Sequence, residues 1–260
     1  MPRNVIEIIK DLRCRLRRAF AGRRLPPGHL SSEPALVIAP HPDDETFGCG
    51  NIIALKRKQG TRVGVIFLTD GEASMKGHLS IAPGLVAEIR KRESTEACAH
   101  LGLESDDLIR YSLQDGRVPR RGAAGFENAV GRLHGDIREF APAEVYCPHP
   151  LDGHGDHTAA AEIAQEAICR CISPPRLLFY TVWFWFTAPW GIGKHWDYMS
   201  AWKVDGRIVH SKKLQAINTY LNHLDPVCGI PYCGKLPLGL VYCARRSNEI
   251  LFEQQLQIRR

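Results

Sequence analysis

From residue 35 onward, short apolar runs alternate with segments whose apolar residues recur every three or four positions. ALVIAP (35–40) reads as a buried strand, and GCGNIIALKRKQG after it has helical character. RVGVIFLTDG (62–71) is a second strand closed by an Asp70-Gly71 turn, and LVAEIRKRESTEACAHLG (85–102) is a helix ended by Gly102. LIRYSL (108–113) is a third strand; helical FENAVGRLHGDIREFA leads to a fourth, EVYCPHP (144–150). HTAAAEIAQEAICRCI (157–172) is again helical, and RLLFYTVWFWF (176–186) reads as a fifth strand. Strands separated by helices imply a parallel sheet covered on both faces. Beyond residue 187 the pattern weakens: KKLQAINTYLNHL predicts a helix, and GLVYCARRSNEILFE an edge strand or hairpin.

Ahead of this core, Val5, Ile8, Ile9, Leu12, Leu16 and Phe20 trace one face of a helix over residues 1–24, and Gly22 and Pro26-Pro27 end it. The linker PPGHLSSEP follows. The expected organisation is a basic helical arm and linker (1–33), then one domain (34–260) with its core at 34–186 and an elaboration at 187–260. Residues 1–24 hold eight basic and two acidic side chains, so they carry the whole net charge of +6 and the body is neutral. A neutral body argues against nucleic acid as a partner. The arm has two readings: a helix docked on its own domain, or peripheral contact with anionic membrane at the inner face. A homo-oligomer is compatible with either.

Nine scattered cysteines without a CxxC pair point to reduced, buried thiols. The start of the chain lacks an apolar signal core, and no run of about eighteen apolar residues occurs, so a cytoplasmic protein is expected.

Two segments carry candidate chemistry. Ala39-Pro40-His41-Pro42-Asp43-Asp44-Glu45 follows the first strand, and Cys147-Pro148-His149-Pro150-Leu151-Asp152-Gly153-His154-Gly155-Asp156-His157 follows the fourth. Both fall at carboxyl ends of strands, where open α/β sheets bind ligands. Adjacent carboxylates repel, and a divalent cation removes that cost. Histidine and aspartate donors with an open position suit catalytic zinc, although Fe2+ accepts the same donors. Either loop taken alone is also explained by helix capping or phosphate binding. A non-catalytic nucleotide- or sugar-binding module would need a glycine-rich phosphate loop, and HPDDETFGCG is not one.

APHPDDETFGCG together with GHGDH resembles the LmbE-like, or PIG-L, deacetylase family over roughly residues 34–186, with Gly155 where many relatives carry proline. The resemblance implies a Rossmann-like three-layer α/β sandwich with a mostly parallel sheet and its catalytic site at the carboxyl edge. It implies a zinc-dependent hydrolase of linear amides that removes the acetyl group from an N-acetylglucosamine-type sugar conjugate, lipid-linked in some contexts. Another N-acyl substrate, such as an N-acyl glycopeptide, is the alternative. Carried over, His41, Asp44 and His157 bind the metal and Asp43 is the general base. His154 serves as general acid or oxyanion partner, oriented by Asp156. Arg90, in an R-x-x-E pair with Glu93, and Asp115 contact substrate. The aromatic run Tyr180, Trp183, Phe184, Trp185, Phe186 and Trp190 could stack on sugar, with Trp183 and Trp185 sharing one strand face.

Overall fold

The structure is a computed structural model that describes residues 5–77, 81–187 and 199–254. Trp190 lies outside them. Alternation of strands and helices gives β1 (Ala35–Ala39), α2 (Asp44–Lys58), β2 (Val63–Thr69), α3 (Pro83–Leu101), β3 (Leu108–Leu113), α4 (Phe126–Phe140), β4 (Glu144–Pro148), α5 (Gly155–Cys169) and β5 (Arg176–Tyr180), preceded by α1 (Val5–Arg24). The remainder adds α6 (Phe184–Thr187), β6 (Met199–Asp205), α7 (His210–Asn222), α8 (Leu238–Ala244) and β7 (Asn248–Gln254). The strands form one seven-stranded sheet in the order β3-β2-β1-β4-β5-β7-β6. β1 to β5 are parallel, whereas β7 runs antiparallel to both β5 and β6.

Because successive side chains of a strand face opposite ways, one apolar run feeds two cores. Leu36 and Ile38 of β1 pack with α4 and α5, including Val130, Leu133, Ile163 and Ala164. Ala35, Val37 and Ala39 face α2, α3 and α7 through Ile52, Ile53, Ala97 and Ile217. Neighbouring β1 and β4 are joined by connections that leave in opposite directions across the sheet. The crevice at their carboxyl ends is therefore the topological switch point. Both histidine–aspartate segments open onto it.

Three expectations change. β5 ends at Tyr180, because the Asp152 carboxylate accepts the backbone N–H groups of Val182, Trp183 and Phe184 and turns the chain into α6. Trp183 and Trp185 therefore do not share a strand face. GLVYCARRSNEILFE divides into α8 and β7, and β7 lies inside the sheet because β6 takes the edge. Finally, α2 begins at Asp44, so the acidic motif forms its first turn rather than a loop before it.

The helix α1 docks on α6 and α8. Asp11, Cys14, Arg18 and Ala21 are its buried residues. Among the described residues no helix is long and apolar enough to cross a membrane.

Candidate active site

The turn after β1 is built to crowd polar groups. Asp43 has φ 132°, a conformation that costs a non-glycine residue energy and marks a constrained site. Its N–H donates to Glu45 Oε2 at 2.9 Å, and its carbonyl accepts Phe47 N–H at 2.8 Å. Asp44 then opens α2, where the helix dipole favours negative charge. Asp44 Oδ2 lies 3.1 Å from His41 Nδ1 and 3.2 Å from His157 Nε2. His157 comes from the first turn of α5, so the two segments meet across the switch point.

Each of these imidazoles has its second nitrogen on a carboxylate. His157 Nδ1 is 2.7 Å from Asp152 Oδ2, while His41 Nε2 is 3.1 Å from Asp156 Oδ2 and 3.3 Å from Asp115 Oδ1. Histidines that bind metal are held in this way, which fixes the tautomer and aims the free nitrogen. His157 Nε2, though 3.2 Å from Asp44 Oδ2, makes no well-aligned hydrogen bond, and His154 Nδ1 is buried without a partner among the described residues. Tetrahedral coordination with bonds of about 2.0 Å places ligand atoms about 3.3 Å apart, close to the distances from Asp44 Oδ2 to the two imidazole nitrogens. His41, His154 and His157 also bring nitrogens within 4.8 Å of one another, and His41, Asp115 and Asp156 form a second such group. No carboxylate holds a ring nitrogen of His154 among the described residues. His41, Asp44 and His157 are thus one donor set that would suit a divalent cation, with His154 beside it.

The electrostatics follow from burial and these pairings. Burial alone would depress His41 and His157, yet the surrounding carboxylates outweigh it. His41 ends well above its ordinary value and His157 at about 9. Burial would raise Asp44, but His157 and His41 hold it well below the usual carboxylate range. Burial raises Asp43 well above its ordinary value; Arg90 opposes that, and Asp44 and Glu45 add to it. His154 is lowered by burial, with His157 and His41 pushing the same way.

The structure gives several candidates partners that differ from expectation. Asp156 holds His41, and its other contacts are the N–H groups of Gly116 and Val118, so it does not orient His154. Arg90 borders the cleft but is 1% exposed, and its two terminal nitrogens meet Asp43 Oδ2 at 2.9 Å, Glu93 Oε2 at 2.9 Å and the Pro42 carbonyl, while Nε is left without a partner among the described residues. The R-x-x-E pair is thus buried, and Glu93 continues to His223 Nδ1 at 2.9 Å. Asp115 lines the cleft and accepts Ala73 N–H at 2.8 Å. His149 stands away from the cleft, packed among Phe179, Phe184 and Phe252.

The cleft measures about 740 Å³. Its lining combines polar His41, Asp43, Asp44, Glu72, Asp115 and His154 with apolar Phe47, Met75, Val86, Trp183, Leu236 and Leu240. The sequence gives Asp152 no role of its own, and Thr69-Asp70-Gly71-Glu72 reads equally as a turn or a ligand contact. Asp152 sits five positions before His157 in the same loop, which was a usable signal. Glu72 Oε2 is buried without a partner among the described residues.

Residues 36–168, just over half of the chain, match the PIG-L family, described as GlcNAc-PI de-N-acetylase, and the chain belongs to that family. It is 28% identical over 153 residues to a probable N-acetyl-alpha-D-glucosaminyl L-malate deacetylase 2 of Bacillus cereus, covering 56% of this chain and 66% of that one, just under two thirds of its length. It is 27% identical over 234 residues to a 1D-myo-inositol 2-acetamido-2-deoxy-alpha-D-glucopyranoside deacetylase 2 of Saccharopolyspora erythraea, covering 73% and 83%. Among solved structures, a deacetylase of the teicoplanin biosynthesis pathway superposes with TM-score 0.64 at 20% identity, covering 87% of this chain and 100% of that one. The 4-carboxy-2-hydroxymuconate hydratase GalB of Pseudomonas putida superposes with TM-score 0.61, also at 20% identity, covering 88% and 98%. At such identities the likeness is one of fold, and the fold hosts more than one reaction.

Proposed function

We propose that this protein hydrolyses the N-acetyl group of an N-acetylglucosamine-type amino sugar, using zinc held by His41, Asp44 and His157. The observation that carries the reading is Asp44 Oδ2 set between two imidazole nitrogens whose outer nitrogens are each fixed by carboxylates. Fe2+ suits the same donors. When bound, such an ion lowers the pKa of water and polarises an amide carbonyl. Asp43 adjoins the ligands without belonging to them; burial makes it basic enough to take the proton of the attacking water. Arg90 is a positioning residue, because its contacts fix the Asp43 carboxylate and the strained turn beneath it. His154 adjoins the cluster, its ring centroid 4.8 Å from that of His41 and 5.0 Å from that of His157. Burial holds it below the usual histidine range, so it rests neutral; it would meet a developing oxyanion as an N–H donor, and would pass a proton to the leaving amine only after taking up the one that Asp43 removes from water. Asp115 and Glu72 present oxygens to sugar hydroxyls. The apolar lining residues Phe47, Met75, Val86, Leu236 and Leu240 support a sugar joined to an apolar, lipid-like group.

The test is release of free acetate from N-acetylglucosamine presented alone, on a lipid and in a glycopeptide. Chelation should abolish release and zinc should restore it. Asp43→Asn should keep its metal and its fold while losing roughly a hundred- to ten-thousand-fold in turnover, the loss typical of a missing general base. Acetate release that survives chelation, or an Asp43→Asn variant within a few-fold of wild type, would end this reading.

A further inference from the structure

The helix α1 faces the opposite way from an ordinary amphipathic surface helix. Its docked side is Asp11, Cys14, Arg18 and Ala21. Asp11 Oδ1 accepts Gly239 N–H at 2.6 Å, Cys14 Sγ lies 3.3 Å from Cys243 Sγ, and Arg18 donates to Asn248 Oδ1 at 2.8 Å. The apolar residues point outward: Val5, Ile8, Ile9, Leu12, Leu16 and Phe20 are 50% to 68% exposed. At 3.6 residues per turn these six fall within an arc of about 120° centred opposite Cys14. Burying the apolar stripe against the body is the normal solution, and here the body takes the other face.

Charge identifies what covers the stripe. On the helical wheel Arg13 and Arg17 border it on one side and Arg15 on the other, with Arg23 and Arg24 at its C-terminal end. Of the two acids of the helix, Asp11 is buried on the docked side, and Glu7, though exposed, falls on the wheel away from the stripe. We infer that this outward stripe is a docking surface for an anionic lipid bilayer, with α1 lying in the plane of the interface. An apolar band between basic borders matches a surface that is apolar within and negative at its headgroups. A second copy of the helix would instead oppose arginine to arginine with no acid to pair them. Residues 25–260 are neutral, so the net positive charge resides in residues 1–24, most of it on this helix.

Docking through α1 also bears on the cleft. The seats of α1 are α8, whose Leu240 lines the cleft, and α6, which follows directly on the cleft residues Val182 and Trp183. A bilayer held by α1 lies behind this part of the cleft lining. This link to a lipid-borne sugar rests on the proposed deacetylation, whereas the docking surface itself does not.

The experiment is co-sedimentation of the full chain with phosphatidylcholine vesicles, with and without phosphatidylserine. Binding should require the anionic lipid and fall at least tenfold as salt is raised from low to about 0.5 M, as screening dictates. Leu12→Gln/Leu16→Gln should lower partition at least tenfold while the circular dichroism melt is unchanged, because both side chains are exposed. Arg15→Gln and Arg23→Gln should each weaken it about fivefold. Wild-type protein that ignores anionic vesicles, or stripe variants that bind as well as wild type, would overturn the inference. So would self-association in sedimentation velocity that depends on Leu12 and Leu16 without vesicle binding, which assigns the stripe to a second copy. Acetate release is not the readout, so docking and deacetylation fail separately.

Discussion

Buried histidines in this protein divide by what their ring nitrogens meet. His157, fully buried, faces Asp152 and Asp44 and is held at about 9, while His149 sits against three phenylalanine rings, with centroids 4.7 to 5.9 Å away, and burial pushes it down to about 4. The His149 difference has a thermodynamic sign. In the unfolded chain a histidine titrates near 6.5, so between pH 6.5 and 4 the unfolded state binds more protons. The contribution of His149 to stability is therefore full above pH 6.5 and is lost as pH falls toward 4. Between pH 7.5 and 5 the loss is about 2 kcal/mol. His149→Gln removes the titration and keeps an oxygen able to accept Leu151 N–H. Urea unfolding at the two pH values should show wild type losing about 2 kcal/mol more than the variant. Equal losses in both would mean that His149 is not held neutral by its surroundings.

At the scale of the element, α2 is where packing and chemistry are joined. Its first turn carries Asp44, and one turn later Gly48 rests on the ring of Tyr180, whose hydroxyl donates to the Ile38 carbonyl at 2.8 Å. A Cβ at position 48 would stand 2.1 Å from that ring. Tyr180 is fully buried between β1 and α2 and has nowhere to go. Gly48→Ala should therefore destabilise by about 1–3 kcal/mol through overpacking, read as a lower thermal midpoint. Displacing α2 also shifts Asp44 against His157, so metal content should fall with it. A variant as stable as wild type would show that α2 has room the structure does not give it. A loop sets the length of another element: β5 ends where it does because the β4–α5 loop carrying Asp152 turns Val182 to Phe184 away from the sheet.

For the whole molecule, Asp152 is the tie between separate parts. Its Oδ2 meets His157 Nδ1 and Trp183 N–H, and its Oδ1 accepts from Val182 and Phe184, so one carboxylate joins the α5 segment to the wall of the cleft. Asp152→Asn leaves one oxygen to accept and turns the other position into a donor. Zinc affinity should drop about 10- to 100-fold, as on losing the partner behind a metal-binding histidine. Competition with a coloured chelator would measure it. Unchanged affinity would mean that the orientation of His157 does not depend on Asp152.

The sequence by itself determined the parallel α/β core and the two polar segments at the carboxyl ends of β1 and β4, whose histidines and aspartates the fold brings together. Those signals are local, because strand and helix periods and the order of residues in a loop are read within a dozen positions. Tertiary structure decided the rest. Arg90 reaches Asp43 across 47 positions because α3 lies over the start of α2, and a charge on a helix does not reveal which partner will desolvate it. Asp156 goes to His41 rather than His154, since the first turn of α5 aims neighbouring side chains in different directions. The antiparallel β7 was legible as a strand, but its place inside the sheet depended on β6 covering it. The arm shows the limit most plainly: its apolar stripe was visible in the sequence, and burial of that stripe was one of two readings. Contacts 228 to 230 positions away, to Gly239, Cys243 and Asn248, seat the polar face and leave the apolar one outside. Periodicity says which residues share a face, and only the packing partner decides which face is buried.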